Sequence, residues 1–365
     1  MAQLFSPFGA RDVTLRNRIV VSPMCEYSSV DGFADDWHLV HLGSRAVGGA
    51  GLVLTEAIAV APEGRISPQD LGIYDDAHVP ALARIARFCA SQGAAWGTQL
   101  AHAGRKGSTK PPWEGQGAAD AGGWTPVGPG TEPFGPGYPA PAALDEAGIA
   151  RIVAAFAAGA RRTLEAGGSV VELHAAHGYL IHQFLSPLTN RRADRWGGSF
   201  DHRVRLALEI VRAVRGVWPE RLPLFVRLSA TDYVSGGWDL AQSVALAKLL
   251  AAEGVDLIDV SSGGLTPLPP DTIPLGPLYQ TPFAEEIRRA AGIATGAVGL
   301  IAEPADAEAI VAGGRADLVF LARELLRDPY WPLYAARALG AEPPWPRQYL
   351  RAAGERAGMR APARA

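Results

Sequence analysis

Short apolar runs recur along the chain, and polar, helix-forming stretches separate them. Each run is continuously apolar rather than alternating, which is typical of parallel strands covered on both faces. Eight such runs predict eight strands, at residues 19–21, 52–54, 96–100, 170–173, 224–228, 257–260, 294–298 and 318–321.

The stretches between several of these runs have the 3.6-residue period of amphipathic helices. In residues 149–165, Ile152, Phe156, Ala160 and Leu164 form one apolar stripe, and Gly167 ends it. Residues 203–217, 240–253 and 304–312 predict helices in the same way. Eight strand–helix alternations favour an α/β fold of the (β/α)8 TIM-barrel type. An open doubly wound sheet is the alternative, but no run is followed by a Gly-x-Gly-x-x-Gly turn.

One long segment interrupts this rhythm after the third predicted strand. Residues 109–141 are rich in proline and glycine and have little periodicity. Loops of this length are usually functional or disordered. Because the active site of a barrel lies at the carboxyl ends of its strands, we expect a lid or wall over the pocket. A disordered insertion is the alternative. We expect residues 1–342 to form the barrel and residues 343–365 a C-terminal tail.

Composition narrows the class of protein. The 365 residues are 48% hydrophobic and 19% charged, with a net charge of −3, so a large core is expected. The sequence has no run of Lys and Arg, so nothing in it indicates binding to nucleic acid or to an anionic membrane. Two cysteines, Cys25 and Cys89, make a disulfide framework improbable and favour a reducing compartment. With neither a signal-peptide pattern nor a membrane-spanning apolar run, we expect a cytoplasmic protein.

The residues that follow the predicted strands carry the candidate chemistry. They are Pro23, Met24, Cys25, Glu26, Tyr27, Glu56, Ala57, Gln99, His102, His174, His177, Arg227, Ser261, Gly263, Gly264, Gly299 and Arg323. This set is rich in hydrogen-bond donors and poor in unpaired carboxylates. It therefore suits an electron-rich, partly anionic ligand better than it suits hydrolysis by an acid/base pair.

The motif His174-Ala-Ala-His177-Gly-Tyr179 is the most informative of these positions. Two imidazoles three residues apart can point at one oxygen and polarise a carbonyl or hold an enolate. Tyr179 could then supply a proton. A zinc site that adds Glu172 or His102 is the alternative interpretation, although no second carboxylate lies near.

Three other strand ends also predict ligand contacts. Cys25 lies beside Tyr27 at the rim of the predicted barrel, whereas Cys89 lies inside a helical stretch and fits a buried structural role. Arg227 interrupts an apolar strand and needs an anionic or carbonyl partner. Gly299 and Arg323 follow the last two strands, where barrels commonly bind phosphate.

An ordered series of motifs resembles the Old Yellow Enzyme family of ene-reductases, in its thermophilic-like or xenobiotic-reductase subclass. The resemblance extends over nearly the whole chain. The motifs are Leu15-Arg-Asn-Arg-Ile19, Ser22-Pro-Met-Cys25, Asp36-Trp-His38, Gly49-Ala-Gly-Leu52, Glu56-Ala57, Pro62-Glu-Gly-Arg65, Gln99-Leu-Ala-His-Ala-Gly-Arg-Lys106, His174-Ala-Ala-His-Gly-Tyr179, Asn190-Arg-Arg-Ala-Asp194, Trp196-Gly-Gly-Ser199 and Gly314-Arg-Ala-Asp317.

This resemblance implies tightly but non-covalently bound FMN at the carboxyl face of the barrel. Ser22, Pro23, Met24 and Cys25 would line the flavin, with Cys25 near N5. The pyrimidine side would contact Ala57, Gln99 and Arg227, and the phosphate would contact Gly299, Ala322 and Arg323. His174 and His177 would bind the carbonyl or nitro oxygen of the substrate, helped by Tyr27, with Lys106 close by. Tyr179 would donate the proton.

The resemblance also implies a ping-pong cycle. NADPH, or NADH, reduces the flavin, and an α,β-unsaturated carbonyl or nitro compound then takes hydride in the same site. A homodimer or homotetramer is implied, with a C-terminal residue of one subunit entering the active site of its neighbour. Arg351 is the candidate for that role, although Leu350 stands where some relatives carry Trp. A metal-dependent barrel hydrolase and a non-catalytic flavin store are the rival functions. An iron–sulfur reductase is excluded because two cysteines cannot supply four ligands.

Overall fold

A computed structural model describes residues 2–115, 117–269 and 271–354. Eight of its strands close into a parallel barrel in the order β3-β4-β5-β8-β9-β10-β11-β12, and β12 pairs with β3 to complete the ring. This confirms the (β/α)8 barrel. The strands are β1 (Phe8–Ala10), β2 (Val13–Leu15), β3 (Ile19–Val21), β4 (Leu52–Ala59), β5 (Ala95–Ala101), β6 (Val127–Gly128), β7 (Ala142–Ala143), β8 (Val170–Ala175), β9 (Leu224–Ser229), β10 (Leu257–Ser261), β11 (Ala294–Ala297) and β12 (Leu318–Leu321).

Helices surround the barrel, and aspartates cap the first turns of several of them. The side chains of Asp145 and Asp239 accept hydrogen bonds from backbone N–H groups at the starts of α3 and α7. The helices are α1 (Asp36–Val47), α2 (Val79–Ser91), α3 (Glu146–Glu165), α4 (Leu180–Leu185), α5 (Phe200–Arg203), α6 (Arg205–Arg215), α7 (Leu240–Ala252), α8 (Thr281–Ala291), α9 (Pro304–Ala312), α10 (Arg323–Arg327) and α11 (Trp331–Ala338). None of the helices in the described ranges is long and apolar enough to cross a membrane.

Apolar side chains fill the amino-terminal half of the barrel. Leu52, Val170, Phe225 and Leu257 belong to one buried cluster inside it, against which Phe8 of the β1–β2 hairpin packs. The opposite faces of the strands bury a larger cluster against the helices. Ligands are therefore confined to the carboxyl-terminal end, where the inward-facing residues become polar.

The bounds of several predicted elements differ from the structure by a few residues, and two of these differences matter for the site and its surroundings. The second strand continues to Ala59, and an irregularity in its pairing with β5 lies between Leu54 and Ala57. Glu56 and Ala57 therefore lie within the strand rather than after it. The helix predicted at 203–217 is divided near Val204 into α5 and α6. Capping by Ser199 and the following turn, rather than apolar periodicity, determines these bounds.

The segment 109–141 forms a wall along the carboxyl face. Its strand β6 pairs with β7, which directly follows the segment, and the backbone and indole N–H groups of Trp124 donate to Ser108 Oγ at 2.8 Å and Glu63 O at 3.0 Å. From the barrel side, Arg105 donates to Pro133 O at 3.3 Å. These bonds attach the segment to the barrel, as a lid or wall requires.

Candidate active site

His174 and His177 come together at the end of β8, with ring centroids 5.1 Å apart and ring planes at 87°. Nδ1 of His174 accepts a hydrogen bond from the Ala176 backbone N–H at 3.3 Å, so the ring hydrogen of His174 is on Nε2. Nε2 of His177 lies 2.7 Å from Ser261 Oγ, which leaves Nδ1 for a ligand.

Both imidazoles are held neutral. Burial, and then the positive charge of Arg227, lower the pKa of His174 and of His177 well below the usual value. A neutral imidazole carries one N–H group. The pair can therefore offer two hydrogen bonds to an oxygen without transferring a full proton to it.

The turn that carries the motif is conformationally constrained. His177 and Gly178 have positive φ angles of 56° and 72°, and Gly178 lies against the backbone of Gly264. The Gly178 N–H donates to Nδ1 of His182 at 2.9 Å, and Nε2 of His182 lies 2.9 Å from Asp232. Both partners are fully buried. This pair holds the turn from beneath, and sequence reasoning missed it because Asp232 lies on another strand–helix connection.

Tyr179 follows as the residue before α4, and its ring lies 4.9 Å from that of His174. Burial, followed by the neighbouring Cys25, raises the pKa of its phenol well above the usual value, so the phenol keeps its proton. Lys106 Nζ lies 5.1 Å from the Tyr179 ring centroid and 4.5 Å from that of Phe134, which belongs to the wall.

The Lys106 ammonium also binds the backbone around the motif. It donates to His177 O at 2.9 Å and to Gly264 O at 3.1 Å. Burial and the nearby Arg105 lower its pKa to about 8. Lys106 thus contacts the wall, the histidine turn and Tyr179, and its place beside the substrate stays a prediction.

Cys25 and Tyr27 lie beyond the end of β3. Burial, reinforced by the carboxylates of Asp70 and Glu56, raises the pKa of the Cys25 thiol well above its usual range, so it is a thiol and not a thiolate. Tyr27 has a positive φ of 49°, and its ring meets that of Trp113, in the wall, edge to face at 5.6 Å. Burial, followed by the neighbouring Cys25 and Tyr179, raises the pKa of the Tyr27 phenol, so these three residues lie near one another.

A polar layer lies across the barrel directly below these residues. Gln99 Nε2 donates to Glu172 at 2.8 Å, and Arg227 Nε lies 3.0 Å from Asp259. The partner of Arg227 is thus a protein carboxylate. Sequence reasoning considered Glu172 only as a metal ligand and missed Asp259. The sequence did carry a signal for Glu172, because residues two apart on a strand share a face and Glu172 is two residues before His174 on β8.

The remaining predicted cofactor contacts lie at the ends of β3, β11 and β12. Ser22 is buried, and its Oγ has no hydrogen-bond partner in the described structure. Pro23 and Met24 follow it and are partly buried. Gly299, Ala322 and Arg323 line one cavity of about 450 Å³. Gly299 has a φ of +116°, and a Cβ there would lie 2.7 Å from Gln280 Nε2, so glycine keeps this cavity open.

Arg351 lies in a short 3-10 helix, Arg347–Ala352, and is exposed. This segment lies against α11 and the residue before it, because Tyr349 meets Tyr330 with ring centroids 6.1 Å apart and Arg337 of α11 donates to Ala353 O at 3.0 Å. The last part of the predicted tail, residues 355–365, lies outside the described residues.

The zinc alternative has no geometric basis in the part of the chain that the structure describes. No three His, Cys, Asp or Glu side chains are grouped there so that they could hold a metal ion. Nδ1 of His102 accepts the Gly104 N–H at 3.1 Å, and burial lowers the pKa of His102 to about 4.

Comparison with known proteins places these residues in a family context. Residues 3–342 match the model of the NADH:flavin oxidoreductase / NADH oxidase family. An NADPH dehydrogenase of Geobacillus sp. (strain WCH70) is 51% identical over 336 residues, which are 92% of this chain and 94% of that protein. Morphinone reductase is similar in structure, with a TM-score of 0.77 and 27% identity over 93% of this chain and 90% of that one. A 2-naphthoyl-CoA reductase complex gives a TM-score of 0.83 and 26% identity over 93% of this chain, which spans only 52% of that protein.

Proposed function

Because this chain belongs to the NADH:flavin oxidoreductase / NADH oxidase family and is an FMN-dependent oxidoreductase that takes electrons from NADPH or NADH, we propose that it reduces the C=C bond of α,β-unsaturated carbonyl or nitro compounds. The observation that carries this proposal is the convergence of two neutral histidine donors and a protonated tyrosine at the carboxyl end of β8.

The residues at the strand ends fit FMN. The glycine-lined cavity at Gly299 and the exposed guanidinium of Arg323 suit a phosphate. The amide of Gln99 and the guanidinium of Arg227 suit the polar edge of a heteroaromatic ring, and the hydroxyl of Ser22, which has no partner among the described residues, offers a further hydrogen bond. Bound here, FMN would accept hydride from the nicotinamide and return it to the β-carbon of the alkene.

His174 and His177 polarise the substrate in this proposal. Each donates one ring N–H to the carbonyl or nitro oxygen, which draws electron density from the β-carbon. As negative charge develops on that oxygen, both hydrogen bonds strengthen. Donors fixed in advance in a buried site stabilise such charge more than water does. The arrangement is an oxyanion hole made of side chains.

Tyr179 is the proposed proton donor to the α-carbon. Its raised pKa keeps the phenol protonated at neutral pH. The Lys106 ammonium over the ring, at 5.1 Å, would stabilise the phenolate left after transfer. Tyr27, across the rim, would help to position the substrate.

The space beside His174, His177 and Tyr179, here called the recess, would hold the nicotinamide and the alkene in turn. It has one pair of histidine donors, so the two substrates compete for it, and the steady-state kinetics are ping-pong in this proposal. We further propose a homodimer or homotetramer in which Arg351 reaches the active site of a neighbouring subunit. The exposure of Arg351 supports this part of the proposal.

The test is anaerobic stopped-flow spectroscopy with NADPH, followed by 2-cyclohexenone, on the wild type and on His174→Ala and His177→Ala. Each variant should retain FMN and react with NADPH, but its flavin should be reoxidised by the enone about 10²–10³ times more slowly, as for loss of one oxyanion donor. His202→Ala is the matched control, because the His202 ring bonds to Gly197 O, at 3.2 Å, away from the recess. Wild-type reoxidation in both active-site variants, or loss of FMN from them, would contradict the assigned role.

A further inference from the structure

One ring nitrogen of His177 is in contact with a short chain of polar side chains. Its Nε2 lies 2.7 Å from Ser261 Oγ, at the end of β10. Ser261 Oγ also lies 3.2 Å from Gln280 Oε1, and Ser262 Oγ lies 2.5 Å from the same oxygen. Tyr233 Oη donates to Ser262 Oγ at 2.9 Å.

The direction of the hydrogen bond between Ser261 and His177 follows from counting hydrogens. A hydroxyl has one hydrogen, so Ser261 donates either to His177 or to Gln280. Gln280 Nε2 donates to Val298 O at 3.2 Å, which turns its oxygen toward the serines. That oxygen already accepts the shorter bond from Ser262. Ser261 therefore donates its hydroxyl hydrogen to His177 Nε2, which at 2.7 Å is nearer than Gln280 Oε1 at 3.2 Å.

The consequence for His177 is a defined tautomer. The ring is neutral, so an Nε2 that accepts from Ser261 leaves the single ring hydrogen on Nδ1. His174 has the opposite tautomer, because its Nδ1 accepts from the Ala176 N–H and its ring hydrogen is therefore on Nε2. If Ser261 accepted instead, Nδ1 of His177 would present a lone pair, and the two histidines could not both donate.

We propose that Ser261 is a positioning residue that holds His177 as its Nδ1–H tautomer, so that both histidines can donate to one substrate oxygen. The role in holding a substrate oxygen rests on the proposed function, whereas the tautomer itself is a property of the protein and can be measured without any substrate.

The tautomer can be read directly from the FMN-loaded wild-type enzyme labelled with ¹⁵N-histidine. Two-bond ¹H–¹⁵N correlation spectra distinguish the two neutral tautomers, and the His177 signals are assigned by their loss in His177→Ala. We expect a protonated Nδ1 and an unprotonated Nε2 for His177. Protonation on Nε2 in the wild type overturns the proposal whatever the variants do.

Variants then test the dependence on Ser261. Ser261→Ala should lose the pure Nδ1–H pattern, and Ser261→Thr, which keeps the hydroxyl, should restore it. Ser262→Ala is the matched control, since Ser262 contacts the same glutamine but not His177. An unchanged His177 spectrum in Ser261→Ala overturns the proposal.

A binding readout connects the tautomer to the site. Titration with 4-hydroxybenzaldehyde, followed by flavin absorbance, should give about tenfold weaker binding to Ser261→Ala, the size expected for one hydrogen bond to a charged oxygen, and nearly unchanged binding to Ser262→Ala. Equal affinities for these two variants overturn the positioning role. If the wild type keeps the Nδ1–H tautomer yet never reduces 2-cyclohexenone, the proposed function fails and the tautomer assignment stands.

Discussion

Gly178 is the position where we expect one added methyl group to do the most damage to the site. An alanine Cβ there would lie 2.2 Å from Gly264 O and 2.7 Å from Leu265 Cα. Both are backbone atoms, so no side-chain rotation relieves the clash. An ordinary contact begins near 3.4 Å, so the turn must shift by about 1 Å.

The expected cost has two parts. Alanine in the left-handed conformation that Gly178 adopts, with a φ of +72°, costs about 1–2 kcal/mol. Overpacking against a fixed backbone costs about 1–3 kcal/mol more. The free energy of unfolding should therefore fall by about 2–5 kcal/mol. Because His177 and Tyr179 flank this residue, a shift of about 1 Å should slow enone reduction by about a hundredfold.

The matched control is Gly292→Ala. Gly292 has a φ of +67°, but an alanine Cβ there would meet no atom of the described residues within 4 Å beyond its chain neighbours, and it precedes β11 at the amino end of the barrel. The free energy of unfolding of this variant should fall only by the conformational cost, about 1–2 kcal/mol, and its turnover should match the wild type. Urea unfolding and stopped-flow reoxidation by 2-cyclohexenone measure the two effects. The steric reasoning would be refuted if Gly178→Ala and Gly292→Ala had the same free energy of unfolding and the same rate of reoxidation.

Three other predictions concern the recess. Reoxidation by the enone should not titrate between pH about 6 and about 7, because lowered pKa values keep His174 and His177 neutral and a raised pKa keeps Tyr179 protonated, and it should slow as pH rises through about 8, where Lys106 loses its charge; a stopped-flow rate that changes with a midpoint near 6.5 would argue against neutral donors. Cys25→Ala should retain turnover and shift the flavin reduction potential by roughly 20 mV, the equivalent of one hydrogen bond of about 1 kcal/mol, in a spectroelectrochemical titration; a dead enzyme would exclude a modulating role. Arg351→Ala should raise the KM for the enone about tenfold with little change in kcat if it binds substrate in a neighbouring site; unchanged steady-state constants would remove Arg351 from the site.

The barrel could be predicted from the sequence because each parallel strand is buried on both faces and leaves an uninterrupted apolar run. Seven of the observed barrel strands begin at their predicted first residue, and the eighth, β5, begins at Ala95 rather than Trp96. The length of β4 could not be read in the same way. Its later residues, Thr55 and Glu56, are polar, and only the barrel's interior shows that they are buried.

In the site too, some residues could be predicted from the sequence and others could not. His174, His177 and Tyr179 could be predicted because they are neighbours in sequence at a strand end. The residues that orient them could not, because their contacts join distant parts of the chain. Ser261 is 84 residues from His177, and the His182–Asp232 pair spans two strand–helix units. A serine or aspartate at a strand end has many possible partners, and only the closed barrel selects one.

The polar layer beneath the recess determines which charges a ligand meets. Burial raises the pKa of Glu172 to about 8, so this carboxyl is protonated at neutral pH and accepts from Gln99 as a neutral group. Burial also raises the pKa of Asp259, but only to about 6 because Arg227 beside it opposes the shift, so Asp259 is largely ionised at neutral pH. Among Glu172, Asp259 and Arg227, the remaining carboxylate therefore balances the guanidinium. The Lys106 ammonium adds a positive charge beside His177 and Tyr179, where negative charge would develop on a substrate reduced in the proposed reaction.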